Sequence, residues 1–154
     1  MKAFLIQGKQ DVGKTTLCKA IDIWLIENEK YTRIFDSREK EYEEEDFIVV
    51  YQKDNHKMMI NTWGDDKKSI EYFTEKYEEY KPFDTLITAI RPYDINRNLH
   101  TGIKRVFNKD VSEEIVIDLD ELRNQYPNRE RFAEEVLNKE FIPKFLNNLK
   151  TIEK

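Results

Sequence analysis

Three features predict an α/β fold with a mainly parallel central sheet and one antiparallel hairpin strand. Short apolar runs alternate with segments of helical period along the chain, the pattern of strands joined by helical crossovers. Two neighbouring apolar runs are instead joined by the short polar stretch Gln52-Lys53-Asp54-Asn55-His56, as in a hairpin. The first apolar run is separated from the first helical segment by a loop that begins and ends in glycine, Gly8 to Gly13.

Taken in order, Ala3-Phe4-Leu5-Ile6 has the length and apolarity of a buried strand. From Lys14 to Asn28, Leu17, Ala20, Ile21, Trp24 and Leu25 follow the i, i+3, i+4, i+7, i+8 spacing of one helix face, with Ile23 and Ile26 widening it. Cys18 lies at the edge of that stripe and is assigned to packing. Tyr31 to Phe35 reads as a second strand, followed by Asp36-Ser37-Arg38. The run Glu39 to Asp46 is too charged to be buried and is expected to form a solvated, mobile loop.

Phe47 to Tyr51 and Lys57 to Asn61 form the hairpin strands, with His56 read as a solvated turn residue. Ile70, Phe73, Tyr77 and Tyr80 define the next helix, stopped by Pro82; Thr85 to Ile90 is a strand that exits through Arg91-Pro92-Tyr93. Asp94 is a candidate cap for a helix carrying Ile95, Leu99, Ile103, Val106 and Phe107, weakened by Gly102. Ile115 to Ile117 is a last short strand ending in Asp118-Leu119-Asp120. A final helix follows Pro127-Asn128, and Pro143 should kink or divide it.

The 154 residues fit one domain, 1–154. With 39% hydrophobic and 37% charged residues the chain reads as soluble, and 26 basic against 31 acidic residues give no reason to expect a nucleic acid or anionic membrane as partner. A lone cysteine and the absence of a long apolar run argue against disulfides, a signal peptide or a membrane span, so a cytoplasmic location is expected.

The stretch Gly8-Lys9-Gln10-Asp11-Val12-Gly13-Lys14-Thr15-Thr16 fits the G-x-x-x-x-G-K-[ST] pattern without mismatch. A triphosphate needs several converging donors, and backbone N–H groups supply them where side chains do not block close approach, hence Gly8 and Gly13. Phosphates would lie on the backbone of Asp11, Val12, Gly13, Lys14, Thr15 and Thr16. Lys14 would neutralise the outer phosphates, and the Thr15 hydroxyl would ligate a bridging Mg2+. Thr16 starts the helix whose positive end faces the anion.

On these residues the chain resembles the P-loop NTPases, a resemblance that implies their three-layer fold and the binding of ATP or GTP with Mg2+. The order of P-loop, helix, hairpin and a D-x-x-G-like turn is similar to that of the Ras-type small GTPases. The resemblance would give Asn61 the metal-shell role, Gly64 an N–H to the terminal phosphate and Asp65 the positioning of water. Asn61 stands where that family has an acid, and the guanine-reading N-K-x-D motif is missing; Asp120 alone could match its base-reading acid.

The expected activity is Mg-dependent nucleoside triphosphate binding and hydrolysis, with Lys14 and Asp65 as catalytic residues. A nucleotide or small-molecule kinase is the alternative, in which Asp36, Arg38 and Arg91 are the residues of interest, Arg97 and Arg105 being read as solubilising. A third reading is a weakly catalytic, nucleotide-dependent switch whose acidic loop meets a protein partner. His100 is read as a surface residue.

Overall fold

The computed structural model describes residues 1–39 and 46–152, with the backbone alone at 39 and 150–152. Of the expected charged loop, residues 40–45 lie outside the described residues, and so does the protein contact expected of them. The elements are β1 (Lys2–Gln7), α1 (Lys14–Glu27), β2 (Thr32–Asp36), β3 (Ile48–Lys53), β4 (His56–Asn61), α2 (Lys67–Tyr80), β5 (Thr85–Ile90), α3 (Arg97–Phe107), β6 (Glu113–Asp118), α4 (Leu119–Gln125), α5 (Phe132–Val136) and α6 (Ile142–Ile152).

The strands form one six-stranded sheet in the order β2-β3-β4-β5-β1-β6. β4, β5, β1 and β6 are mutually parallel, whereas β3 runs antiparallel to both β2 and β4. The α/β class and the single hairpin are therefore as the sequence predicts. β1, an interior strand between β5 and β6, is buried on both faces, and the period-2 alternation of side chains divides it between two cores. Phe4 and Ile6 join Leu17, Ile21 and Leu25 of α1 and Phe132, Val136, Phe141 and Phe145 near the C-terminus. Ala3 and Leu5 join Phe73 and Tyr77 of α2 and Ile103 and Phe107 of α3 on the other side.

Local chemistry accounts for most boundaries. The Asp66 carboxylate accepts from the N–H of Ser69 and caps α2, and Asn96, rather than Asp94, caps α3 through the N–H of Leu99. Gly102 is tolerated within α3 because α2 crosses there: a Cβ at Gly102 would lie 2.9 Å from Ile70 Cδ1. The C-terminal helical region is divided by a π-helical turn, Leu137–Phe141, just ahead of Pro143, which has no N–H to continue a regular ladder. No helix among the described residues is long and apolar enough to cross a membrane.

A buried ionic cluster ties α1 to β2 and β3. Asp22, 1% exposed, accepts from Arg33 Nε (3.1 Å) and Nη2 (2.9 Å), Arg38 Nη2 (2.9 Å) and the Tyr51 hydroxyl (2.5 Å). Burial acts to raise the Asp22 pKa, but the hydrogen bonds from Arg33, Tyr51 and Arg38 outweigh it and hold the carboxyl below its ordinary value. Arg38 also bonds both oxygens of Asp36 and lies over the Phe47 ring, 4.4 Å from its centroid. Asp36 and Arg38 are thus engaged in structure at this cluster.

Candidate functional site

β1, β4, β5 and β6 are parallel, so the segments that leave their carboxyl ends emerge along one edge of the sheet, where α/β folds bind ligands. The loop from Gly8 to Gly13 occupies that edge between β1 and α1. Its curvature depends on its glycines: a Cβ at Gly8 would stand 2.3 Å from Val12 Cγ1, and Gly13 has φ +112°, a left-handed conformation open to glycine. Asp11 also has a positive φ, 65°. Val12 is buried in the core shared with α1, which pins the loop from beneath.

Two residues near the C-terminal end of the sheet edge brace the loop. The N–H of Lys9 donates to Asp120 Oδ2 (3.0 Å), and Arg123 Nη2 donates to the Val12 carbonyl (2.7 Å) while its guanidinium lies 4.0 Å from the Phe132 ring centroid. Asp120 therefore holds loop backbone instead of standing apart as a base-reading acid. Neither brace is visible in the sequence, where Arg123 has no motif around it. The available signal was Asp118 followed by Asp120 and Glu121, the acidic start of α4.

A cleft of about 420 Å³ opens above the loop, lined by Gln10, Asp11, Gly13, Lys14, Thr15, Thr16, Asp46 and Asp65. Gly13 caps α1 without a side-chain hydrogen bond, and no acid lies in the first turn, so nothing on the helix itself neutralises its positive end. Lys14 Nζ donates to the carbonyls of Gly8 (2.7 Å) and Lys9 (2.8 Å). Burial first, and the Arg91 guanidinium second, lower the Lys14 pKa from its ordinary value.

Thr15 Oγ1 donates to Asp46 Oδ1 (3.2 Å), and the Thr62 hydroxyl donates to the same oxygen (3.1 Å). Thr62 in turn accepts from the N–H of Phe47 (2.8 Å), which fixes the entry to β3 beside the exit from β4. Asp46 thus departs from the solvated loop expected of the charged run and puts a carboxylate against the Thr15 hydroxyl. Among the described residues no group of three His, Cys, Asp or Glu could hold a metal. Mg2+ bound with phosphates needs only one or two protein oxygens, and Thr15 with Asp46 supplies such a pair.

Asn61, expected in the metal shell, does not line the cleft. It is fully buried, with Nδ2 donating to the Trp63 carbonyl and Thr88 Oγ1 and Oδ1 accepting from the Trp63 N–H. Its amide closes the strand exit, and Thr62 and Asp46 stand beside Thr15. Gly64 packs against α3, where a Cβ would meet Ile103 Cδ1 at 2.9 Å. Asp65 does reach the cleft, and its Oδ1 accepts from Arg91 Nη2 (2.8 Å) at the end of β5.

Both histidines are more engaged than expected. His100 Nδ1 donates to the Arg91 carbonyl (2.8 Å), fixing the backbone from which that guanidinium extends. His56, at the opposite end of the sheet, bridges the Tyr31 hydroxyl and Thr85 Oγ1. Cys18 is fully buried, and burial pushes its thiol up to about 12, consistent with packing. The chain matches no protein-family model, no curated protein and no solved structure.

Proposed function

We propose that the chain is a P-loop nucleotide-binding protein that binds a nucleoside triphosphate with Mg2+ and hydrolyses it. One observation carries the reading: the Gly8 to Thr16 loop, curled at the head of an uncapped helix, shares a cleft with Lys14, Thr15 and two carboxylates, Asp46 and Asp65. Loop amides and the helix terminus favour a polyanion there, and Lys14 meets its outer charges. The hydroxyl of Thr15 and the carboxylate of Asp46 would hold the metal or its water. Magnesium, when bound, supplies charge neutralisation between the outer phosphates.

In this reading Asp65 orients water toward the terminal phosphorus and accepts its proton as the water oxygen forms the new P–O bond. The bond from that phosphorus to the bridging oxygen breaks, and the diphosphate departs with the electron pair. Phosphoryl transfer to another acceptor is a second reading. It is favoured by Arg91, a largely buried cation at the end of β5 that could balance charge on a transferring phosphate.

A product panel tests the reading. The full chain is incubated with ATP or GTP, with and without Mg2+, alone and with candidate acceptors, and binding, diphosphate and free phosphate are measured. Mg-dependent release of phosphate supports hydrolysis. Diphosphate without free phosphate supports transfer, and binding without turnover supports the switch. Failure to bind either nucleotide removes all three.

A further inference from the structure

Beside the cleft, Arg91 follows β5 and pairs with Asp65, which lines it. The Arg91 side chain is 13% exposed, yet among the described residues its ion-pair partner is Asp65 alone, whose side chain is 55% exposed. One Nη2 contact of 2.8 Å joins them, and Arg91 Nε is buried with no hydrogen-bond partner among the described residues. A guanidinium offers five N–H donors in a planar fork suited to two oxygens of one anion. Among the described residues a single carboxylate oxygen at the solvent edge uses one of them, which leaves donors of the fork for a further anion.

The neighbourhood supports this. Lys14 lines the same cleft as Asp65, the partner of Arg91, and after burial the Arg91 guanidinium is the next cause that lowers the Lys14 pKa. His100 fixes the Arg91 main chain through its carbonyl, and Pro92 follows, so the side chain extends from an anchored strand end. Asp65, by contrast, follows Gly64 in the segment between β4 and α2 and is free of other ion pairs among the described residues.

We propose that Arg91 exchanges partners: it pairs with Asp65 when no terminal phosphate is present and moves its fork onto that phosphate when a nucleoside triphosphate binds. The proposal rests on the P-loop reading above and adds a selectivity and a regulation to it. A diphosphate, held by the loop and Lys14, leaves the Asp65–Arg91 pair intact; a triphosphate breaks it. The exchange also sets the timing of the carboxylate. Paired with Arg91, the Asp65 Oδ1 is taken up by the guanidinium contact; once released, that oxygen is open to a hydrogen bond from water. Arg91 is in this account a discriminating residue for triphosphate over diphosphate, and Asp65 its competitor.

The test compares affinities of the full chain for ATP and ADP, and for GTP and GDP, at fixed Mg2+ by titration calorimetry. Wild type is set beside Arg91→Ala, Arg91→Lys, Asp65→Asn and Lys14→Ala, with folding checked by thermal melting. Arg91→Ala should reduce the preference for triphosphate over diphosphate by about tenfold or more, with diphosphate affinity unchanged. Arg91→Lys, which keeps the charge and loses the fork, should fall between. Asp65→Asn should tighten triphosphate binding alone, because it removes the competitor.

Equal loss of both nucleotides in Arg91→Ala and Arg91→Lys, or weaker triphosphate binding in Asp65→Asn, would overturn the exchange. Lys14→Ala separates this from the underlying reading. If it loses both nucleotides while the Arg91 variants keep the wild-type preference, only the exchange fails; if it binds as wild type does, the P-loop reading itself fails.

Discussion

The Thr15 hydroxyl and the Asp46 carboxylate, 31 residues apart in the chain, are joined by a 3.2 Å hydrogen bond. The pair lies in the cleft beside Lys14. If both oxygens serve Mg2+, Asp46→Asn keeps the size of the side chain and removes its charge. Its expected effect is to weaken Mg2+ in the nucleotide complex by about 10–100-fold while nucleotide binding without metal is unchanged. Magnesium titrations at fixed nucleotide check this, and an unaltered metal dependence would return Asp46 to a purely structural role.

Lys14→Ala should leave the fold intact, since Lys14 Nζ bonds only loop carbonyls, and should weaken triphosphate binding by about one to two decades, the equivalent of roughly 1.5–3 kcal/mol. Calorimetry with a parallel melting curve separates binding from folding. Retained affinity in a folded variant would remove the phosphate-binding role of the loop.

The loop glycines should fail for different reasons. Gly8→Ala drives a methyl to 2.3 Å from Val12 Cγ1, so Val12 must leave its place in the core, at a cost of about 1–3 kcal/mol. Gly13→Ala has room but must adopt φ +112°, a strain of about 1–3 kcal/mol. Denaturant titration should find both destabilised. Stability equal to wild type in either would show that the loop relaxes to another shape.

Asp22 sets an acid limit on stability. Its folded pKa is depressed below the unfolded value of about 3.9, so its contribution is fully present above that pH and is lost as pH falls through the folded value. Asp22→Asn should cost roughly 2–4 kcal/mol near neutrality, toward the lower end for a broken buried pair because Arg33 and Arg38 retain some exposure. It should also flatten the loss of stability below about pH 4. Urea unfolding of both proteins across pH 2.5–7, roughly, reads the two effects together; parallel acid limbs would place the titrating group elsewhere.

The α/β class, the hairpin and most helices were legible because each is written in local periodicity: Leu17, Ile21 and Leu25 on one face of α1, or the unbroken Thr85–Ile90 run. The tight Gly8–Gly13 loop between β1 and α1 was legible because Gly8, Gly13, Lys14 and Thr15 fall within eight consecutive residues. Asp46 was hidden because it ends a run of charges whose composition suits solvated chain, and only contacts with Thr15 and Thr62 distinguish it. α4 was missed because seven residues are too few to show a helical period. Asn61 was read into the site because its strand leads to the right edge; the bonds to Trp63 and Thr88 that turn it inward depend on β5 lying next to β4, and no local pattern encodes that order.

The pairing of β1 with two strands from the second half of the chain has a consequence during translation. The partners of β1 are β5, beginning at Thr85, and β6, beginning at Glu113, so this strand is made well before either flank exists. At elongation rates of about 5–20 residues per second, Phe4, Leu5 and Ile6 wait several seconds with both backbone edges unpaired. α1, made next, is available early to cover one face. Until β5 and β6 emerge from the ribosome the nascent chain carries an apolar strand with open edges, a state prone to pairing with another like itself.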